Sequence, residues 1–100
     1  MIVARVLGTV VATRKDEKMA GVKFQVVQQV DMETLQPSAK PLVAIDAMGA
    51  GPGELVMCAA GSSALQTELT TNRPVDLVIM AIIDTIDIHG KTIFNKAEEG

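Results

Sequence analysis

Tryptophan and tyrosine are absent from the chain, and phenylalanine occurs only as Phe24 and Phe94. Binding of single-stranded nucleic acid without sequence preference relies on stacked aromatic side chains in a basic groove. Two aromatics do not supply that mode, and a formal net charge of −3 argues against attachment by phosphate neutralisation, though not against a small local basic patch. Cysteine occurs once, as Cys58, so no intrachain disulfide can form and the usage fits a reducing compartment. Histidine also occurs once, as His89, and no C-x-x-C or H-x-x-x-H spacing offers a metal site. No apolar run reaches the roughly 18–20 residues that cross a bilayer, and no basic start with an apolar segment marks a secretory leader. The expectation is a cytoplasmic protein with no cofactor and no nucleic-acid or membrane partner.

What the chain has in abundance is aliphatic. Of its 100 residues 48% are apolar, so the core is built from Val, Ile, Leu, Ala and Met. That length supports one domain, expected over residues 1–95, with a polar, frayed tail at 96–100. The mean hydropathy of +0.30 is high for a small monomer, whose surface-to-volume ratio demands polar surface. Burial between subunits relieves that tension and points to an oligomer.

The chain is organised around residues 43–60, two apolar runs joined by Gly49-Ala50-Gly51-Pro52-Gly53, with Asp46 and Glu54 at its shoulders. Three glycines in five positions imply a sharply bent backbone. The runs on either side read as strands, and the pair reads as a hairpin-like unit. Before it, Ile2 to Ala12 is β-branched and broken by Gly8, a mark of a bulge or bend. Residues 13–18 form a charged, solvated loop. Val22, Phe24 and Val26 then alternate with Lys23 and Gln25 as a half-buried strand, with Gln28 out of phase, so a bulge or polar contact is needed nearby. Residues 31–40 are a loop.

After Ala60, Gly61-Ser62-Ser63 opens a short helix, with Leu65 and Leu69 on one face and Gln66 placed to close a capping box on Ser63. Residues 75–88 read as one long strand, and His89-Gly90 as a tight turn into Lys91–Asn95. The sum is an all-β fold: a small closed five-stranded OB-like barrel, one short helix between the fourth and fifth strands, and a terminal β extension. Closure removes sheet edges that so apolar a chain could not safely expose.

Chemistry is thin. The glycine turn, Gly49 to Gly53, could cradle an anion or a nucleotide through backbone N–H groups. However, it lacks the Lys-Ser/Thr ending of a P-loop, and Pro52 removes a donor. Gly61, Ser62 and Ser63, at a helix N-terminus, could attract an anion or line an opening if copies were arranged about an axis. The carboxylates Asp46, Glu54, Asp76, Asp84 and Asp87 are scattered and read as structural or surface charge rather than an acid–base pair. A Cys58–His89 nucleophilic pair is disfavoured because Cys58 lies in an apolar strand, the usual place of an inert thiol. The expectation is not an enzyme.

The segments 1–15 and 21–23, then Asp46-Ala-Met-Gly-Ala-Gly-Pro-Gly-Glu-Leu-Val56, Gly61-Ser-Ser-Ala64, Pro74-Val-Asp76 and Ile82-Ile-Asp84 together resemble the EutN/CcmL family of bacterial microcompartment vertex proteins. The resemblance runs along nearly the whole chain in the family's order. It departs at Leu65, where members often carry Arg. It implies an OB-like barrel, a homopentamer, and a non-enzymatic role plugging the five-fold vertices of shells tiled by hexameric proteins in the bacterial cytoplasm. Candidates for subunit contacts or the central opening are then Gly49, Ala50, Gly51, Gly53, Glu54, Gly61, Ser62 and Ser63.

Overall fold

The computed structural model of the chain describes residues 1–13, 17, 21–60 and 77–99. Seven strands are formed among them: β1 (Ile2–Val10), β2 (Lys23–Gln29), β3 (Leu42–Asp46), β4 (Leu55–Ala60), β5 (Leu77–Ile82), β6 (Thr85–Ile88) and β7 (Lys91–Asn95). The first five close into a barrel in the order β1-β2-β3-β5-β4, and β6 and β7 form a separate two-stranded sheet. The expected closed five-stranded barrel is therefore present. The short helix placed between the fourth and fifth strands, with Ser62 and Ser63 at its start, lies outside the described residues. The described helical element is a three-residue 3-10 turn, Lys96–Glu98, capped by the Asn95 side chain accepting from the Ala97 N–H.

Barrel closure depends on pairings that are remote in sequence. β1 pairs antiparallel with β2 on one side and with β4 on the other, with Val6 opposite Val27 and Ala4 opposite Val56. β5 lies between β3 and β4, parallel to β3 and antiparallel to β4. The reading of residues 43–60 as a hairpin is thus corrected: β3 and β4 do not pair, because β5 occupies the space between them. The bend anticipated at Gly8 is a register shift in β1 that leaves Leu7 unpaired between Val6 and Gly8. The polar contact anticipated at Gln28 is its amide nitrogen donating to the Ala39 carbonyl at 2.9 Å.

The barrel interior is filled by Ala4, Val6, Val27, Ala44, Val56, Cys58 and Ile79, all essentially inaccessible to solvent. Each valine or isoleucine buried in this way contributes about 1.5–3 kcal/mol. Inside also is Gln25, which reverses the phase expected for β2. Gln25 and Val27 point inward, whereas Phe24 packs with Val22, Ile45, Val78 and Met80 in a separate cluster. Both faces of this strand carry apolar side chains, so alternation does not tell inside from outside.

Residues 75–88 are not one strand. The chain leaves the barrel after Ile82, and the Ile83 N–H closes onto the Leu55 carbonyl at 2.9 Å. A turn at Asp84 then starts the β6–β7 hairpin. Its link is a two-residue turn with His89 at φ 54° and Gly90 at φ 75°, the double positive pattern of a type I′ turn. The hairpin lies on the outside of the barrel, with Ile86 and Phe94 packed against Val30, Leu55 and Ile83. Residues 96–99, expected to fray, are held here: the Lys96 N–H donates to the Asp84 carbonyl at 2.8 Å.

Candidate functional site

β3 delivers Asp46 to the barrel interior, and the glycine turn folds around its carboxylate. Oδ1 accepts from the N–H groups of Met48 at 2.8 Å and Gly49 at 3.0 Å. Oδ2 accepts from the Ala50 N–H at 2.9 Å and from the Gln25 amide at 3.0 Å. The same Gln25 nitrogen donates to the Ala50 carbonyl at 2.7 Å, and its oxygen accepts from the Thr9 hydroxyl at 2.8 Å. Ala50 is buried and closes the core beneath the turn. A buried polar group is tolerated when its hydrogen bonds are satisfied, and here Asp46, Gln25 and Ala50 satisfy one another.

The second half of the turn, Gly51 to Glu54, is a separate unit. The Glu54 N–H returns to the Gly51 carbonyl at 3.2 Å, with Pro52 next and Gly53 at φ 88°. Pro at the second position and a left-handed Gly at the third are the requirements of a type II turn. β1 grips this unit: the Gly53 N–H donates to the Val6 carbonyl at 2.8 Å, the Val6 N–H to Glu54 at 2.9 Å, and Arg5 Nη1 to the Gly53 carbonyl at 2.8 Å. Glu54 Oε1 accepts from the Gly51 N–H at 2.7 Å, while Oε2 forms an ion pair with Lys96. Around this clamp lies an open cleft of about 390 Å³ lined by Arg5, Pro52, Gly53, Glu54, Phe94 and Lys96, with Glu99 at its edge.

The hydrogen bond from Lys96, together with that from the Gly51 N–H, holds the Glu54 carboxyl below its ordinary value of 4.5. The same bond raises the Lys96 ammonium above its ordinary 10.5. Glu54 therefore adds stability above its ordinary value, and this is lost as pH falls through the depressed one. Lys96 adds stability below its ordinary value, lost as pH rises through the raised one. Both groups are solvated, so the effect is small. Thermal melts of Lys96→Met and the parent protein are expected to differ slightly at neutral pH and to converge once Glu54 is protonated. A constant gap down to that pH would show that Lys96 acts through packing instead.

The turn does not have the donors that an anion cradle requires. The N–H groups of Met48, Gly49 and Ala50 are taken by Asp46, that of Gly51 by Glu54 and that of Gly53 by Val6. Pro52 has none. Two carboxylates of the chain itself thus occupy the positions a phosphate would fill, which removes the nucleotide reading of Gly49–Gly53. The glycines serve backbone geometry: Gly49 and Gly53 have φ of 76° and 88°, conformations that side chains with a Cβ resist. A Cβ at Gly49 or Gly53 would meet nothing within 4 Å, and one at Gly51 would make ordinary contact with Glu54 Oε1 at 3.6 Å. Gly51 also lies outside the left-handed region, so nothing within the described subunit requires glycine there.

Of the sequence candidates, Gly49, Ala50, Gly51, Gly53 and Glu54 are brought into one clamp. Gly61, Ser62 and Ser63 lie outside the described residues. Cys58 is sealed in the barrel interior, where burial, with a contribution from the Asp46 charge, pushes its thiol up to about 11. His89 sits at the exposed hairpin tip, so the two form no nucleophilic pair. Among the described residues no cluster of three His, Cys, Asp or Glu side chains is placed to hold a metal. Gln25 was missed as a site residue because its place in an alternating strand reads as solvent-facing. Arg5 and Lys96 were missed because they reach the turn from opposite ends of the chain.

Residues 1–84 match the protein-family model described as "Ethanolamine utilisation protein EutN/carboxysome". The carboxysome shell vertex protein CcmL of Gloeobacter violaceus is 40% identical over 99 residues, covering 99% of this chain and 98% of that protein. The chain belongs to the EutN/CcmL family. A solved structure of Gloeobacter violaceus CcmL superposes on this EutN/CcmL barrel with a TM-score of 0.91 at 41% identity, covering 98% of this chain and 100% of that one. The GrpN pentameric microcompartment shell protein of Rhodospirillum rubrum superposes with a TM-score of 0.78 at 36% identity, over 88% of this chain and 99% of that one.

Proposed function

We propose that this EutN/CcmL-family chain is a structural shell protein whose homopentamer caps the five-fold vertices of a bacterial microcompartment, within the bacterial cytoplasm. The observation that carries the reading is the match of fold and sequence, along almost the full length of both chains, to a carboxysome shell vertex protein. The copy number of five is taken from the likeness to the pentameric shell protein GrpN. The reading assigns no catalysis to the chain. A vertex cap must also meet the surrounding facets, so its further partners are the hexameric shell proteins.

Within the ring, the Gly49–Glu54 clamp is the candidate for a subunit contact or for the wall of the central opening, together with Gly61, Ser62 and Ser63. Supporting this is the unexplained glycine at 51: with no demand from the described residues of the subunit, a neighbour's backbone is what glycine would admit. Native mass spectrometry of the purified protein tests the reading. A dominant species of five protomers is the expected result, because five-fold closure needs it. A monomer stable across micromolar concentrations would overturn it.

A further inference from the structure

Closing a five-membered ring requires each protomer to offer two different surfaces, since one self-complementary patch stops at a dimer. Obligate interfaces bury about 2,000 Å² or more in total, or about 1,000 Å² per partner. Two such faces would take about a third of the 6297 Å² this chain exposes, so the contact must extend well beyond the glycine turn.

The exposed large apolar side chains suggest where. One set spans three neighbouring strands on the outside of the barrel. Val43 of β3 is paired with Val26 of β2, and Leu7 of β1 stands in the bulge beside Val26. Val43 is 52% exposed and Leu7 47%. Lys40, exposed, stands just before β3 at the edge of this face. The second set lines an open groove of about 260 Å³ containing Met1, Met32 and Met57. Met57 is paired with Val3, and the Val3 carbonyl takes the Val30 N–H at 3.0 Å, which brings β4, β1 and the end of β2 to one place. Asp31 and Glu33, both exposed, stand on either side of Met32. The faces are therefore unlike in shape and differ in the charge beside them: a β-branched ridge with Lys40 at its edge, and an adaptable methionine groove with Asp31 and Glu33 at its edge.

We infer that the ring contact seats the Leu7–Val26–Val43 face of one protomer in the Met1–Met32–Met57 groove of the next, with Lys40 opposite Asp31 and Glu33. The inference rests on the reading of the chain as a ring-forming vertex protein. It is tested with two variants at exposed positions, Val43→Glu and Met57→Glu, each confirmed as folded by its thermal melt. Leu7→Glu and Met32→Glu replace them if either misfolds. Native mass spectrometry of either variant alone is expected to show loss of the ring. In an equal mixture the one competent contact joins the intact ridge of Met57→Glu to the intact groove of Val43→Glu. A one-to-one heterodimer that grows no further is therefore expected. Rings formed by a folded variant alone, or a mixture without the heterodimer, would overturn the inference while leaving a pentameric parent protein, and so the vertex reading, in place. A monomeric parent protein would remove both.

Discussion

Asp46→Ala is expected to lower the thermal midpoint by more than ten degrees. The carboxylate accepts four hydrogen bonds, and those from Ala50 and Gln25 are buried. Each buried donor left without an acceptor costs about 1–3 kcal/mol. Two such losses come to about 2–6 kcal/mol, against a total stability of about 5–15 kcal/mol for a domain. For a chain of this size each kcal/mol shifts the midpoint by about 4–8 °C. Met48 and Gly49 are exposed, so water can take over their N–H groups and they add less. Because a ring shifts apparent stability by mass action, parent and variant must be melted at equal protomer concentration. A midpoint within two or three degrees of the parent, on the same scale, would show that Asp46 is not what holds the turn.

Gly53→Val is expected to destabilise the subunit and abolish the ring, whereas Gly51→Ala leaves the subunit folded. Gly53 sits at φ 88°, where a residue with a Cβ is strained by about 1–3 kcal/mol and a β-branched one is an outlier. Relaxing that strain moves the Gly53 N–H and carbonyl, which Val6 and Arg5 hold. Gly51 carries no such φ, and its added Cβ would only touch Glu54 Oε1 at 3.6 Å. The pair thus separates two roles for glycine in one turn. A Gly53→Val midpoint equal to the parent's would remove the strain argument. If Gly51→Ala melts as the parent does yet fails to assemble by native mass spectrometry, a neighbouring subunit approaches that position. An intact Gly51→Ala ring would remove that argument.

Much of the fold was legible in local residue patterns. Strand content follows from β-branched runs, the left-handed turn positions from Gly49, Gly53 and His89-Gly90, and the β1 bulge from Gly8. These features depend on a few adjacent residues, so a short window of sequence contains their cause. The inward turn of Gln25 was not legible, because a polar residue between apolar ones reads as solvent-facing until its partners are known. Those partners, Thr9, Asp46 and Ala50, are 16, 21 and 25 residues away. The division of residues 75–88 was equally hidden. Asp84 interrupts the apolar run, but only the packing of Ile86 and Phe94 on the barrel's outer side makes the chain leave the sheet there.

The sequence by itself determined the class of the protein: an aliphatic, disulfide-free β chain, poor in the groups that catalysis or nucleic-acid binding needs, with motifs that resemble one family along most of its length. Composition and motif order are properties of the chain and need no coordinates. Only the tertiary structure decided what the glycine turn does. β5 slips between the strands that flank the turn, and Arg5 and Lys96 converge on it from the two ends of the chain. Its N–H groups are thereby committed to Asp46, Glu54 and Val6, and none of the donors described there is left to hold a phosphate. The physical reason is that closure and parallel pairing are settled by contacts between residues far apart in the chain, and local periodicity carries no record of them.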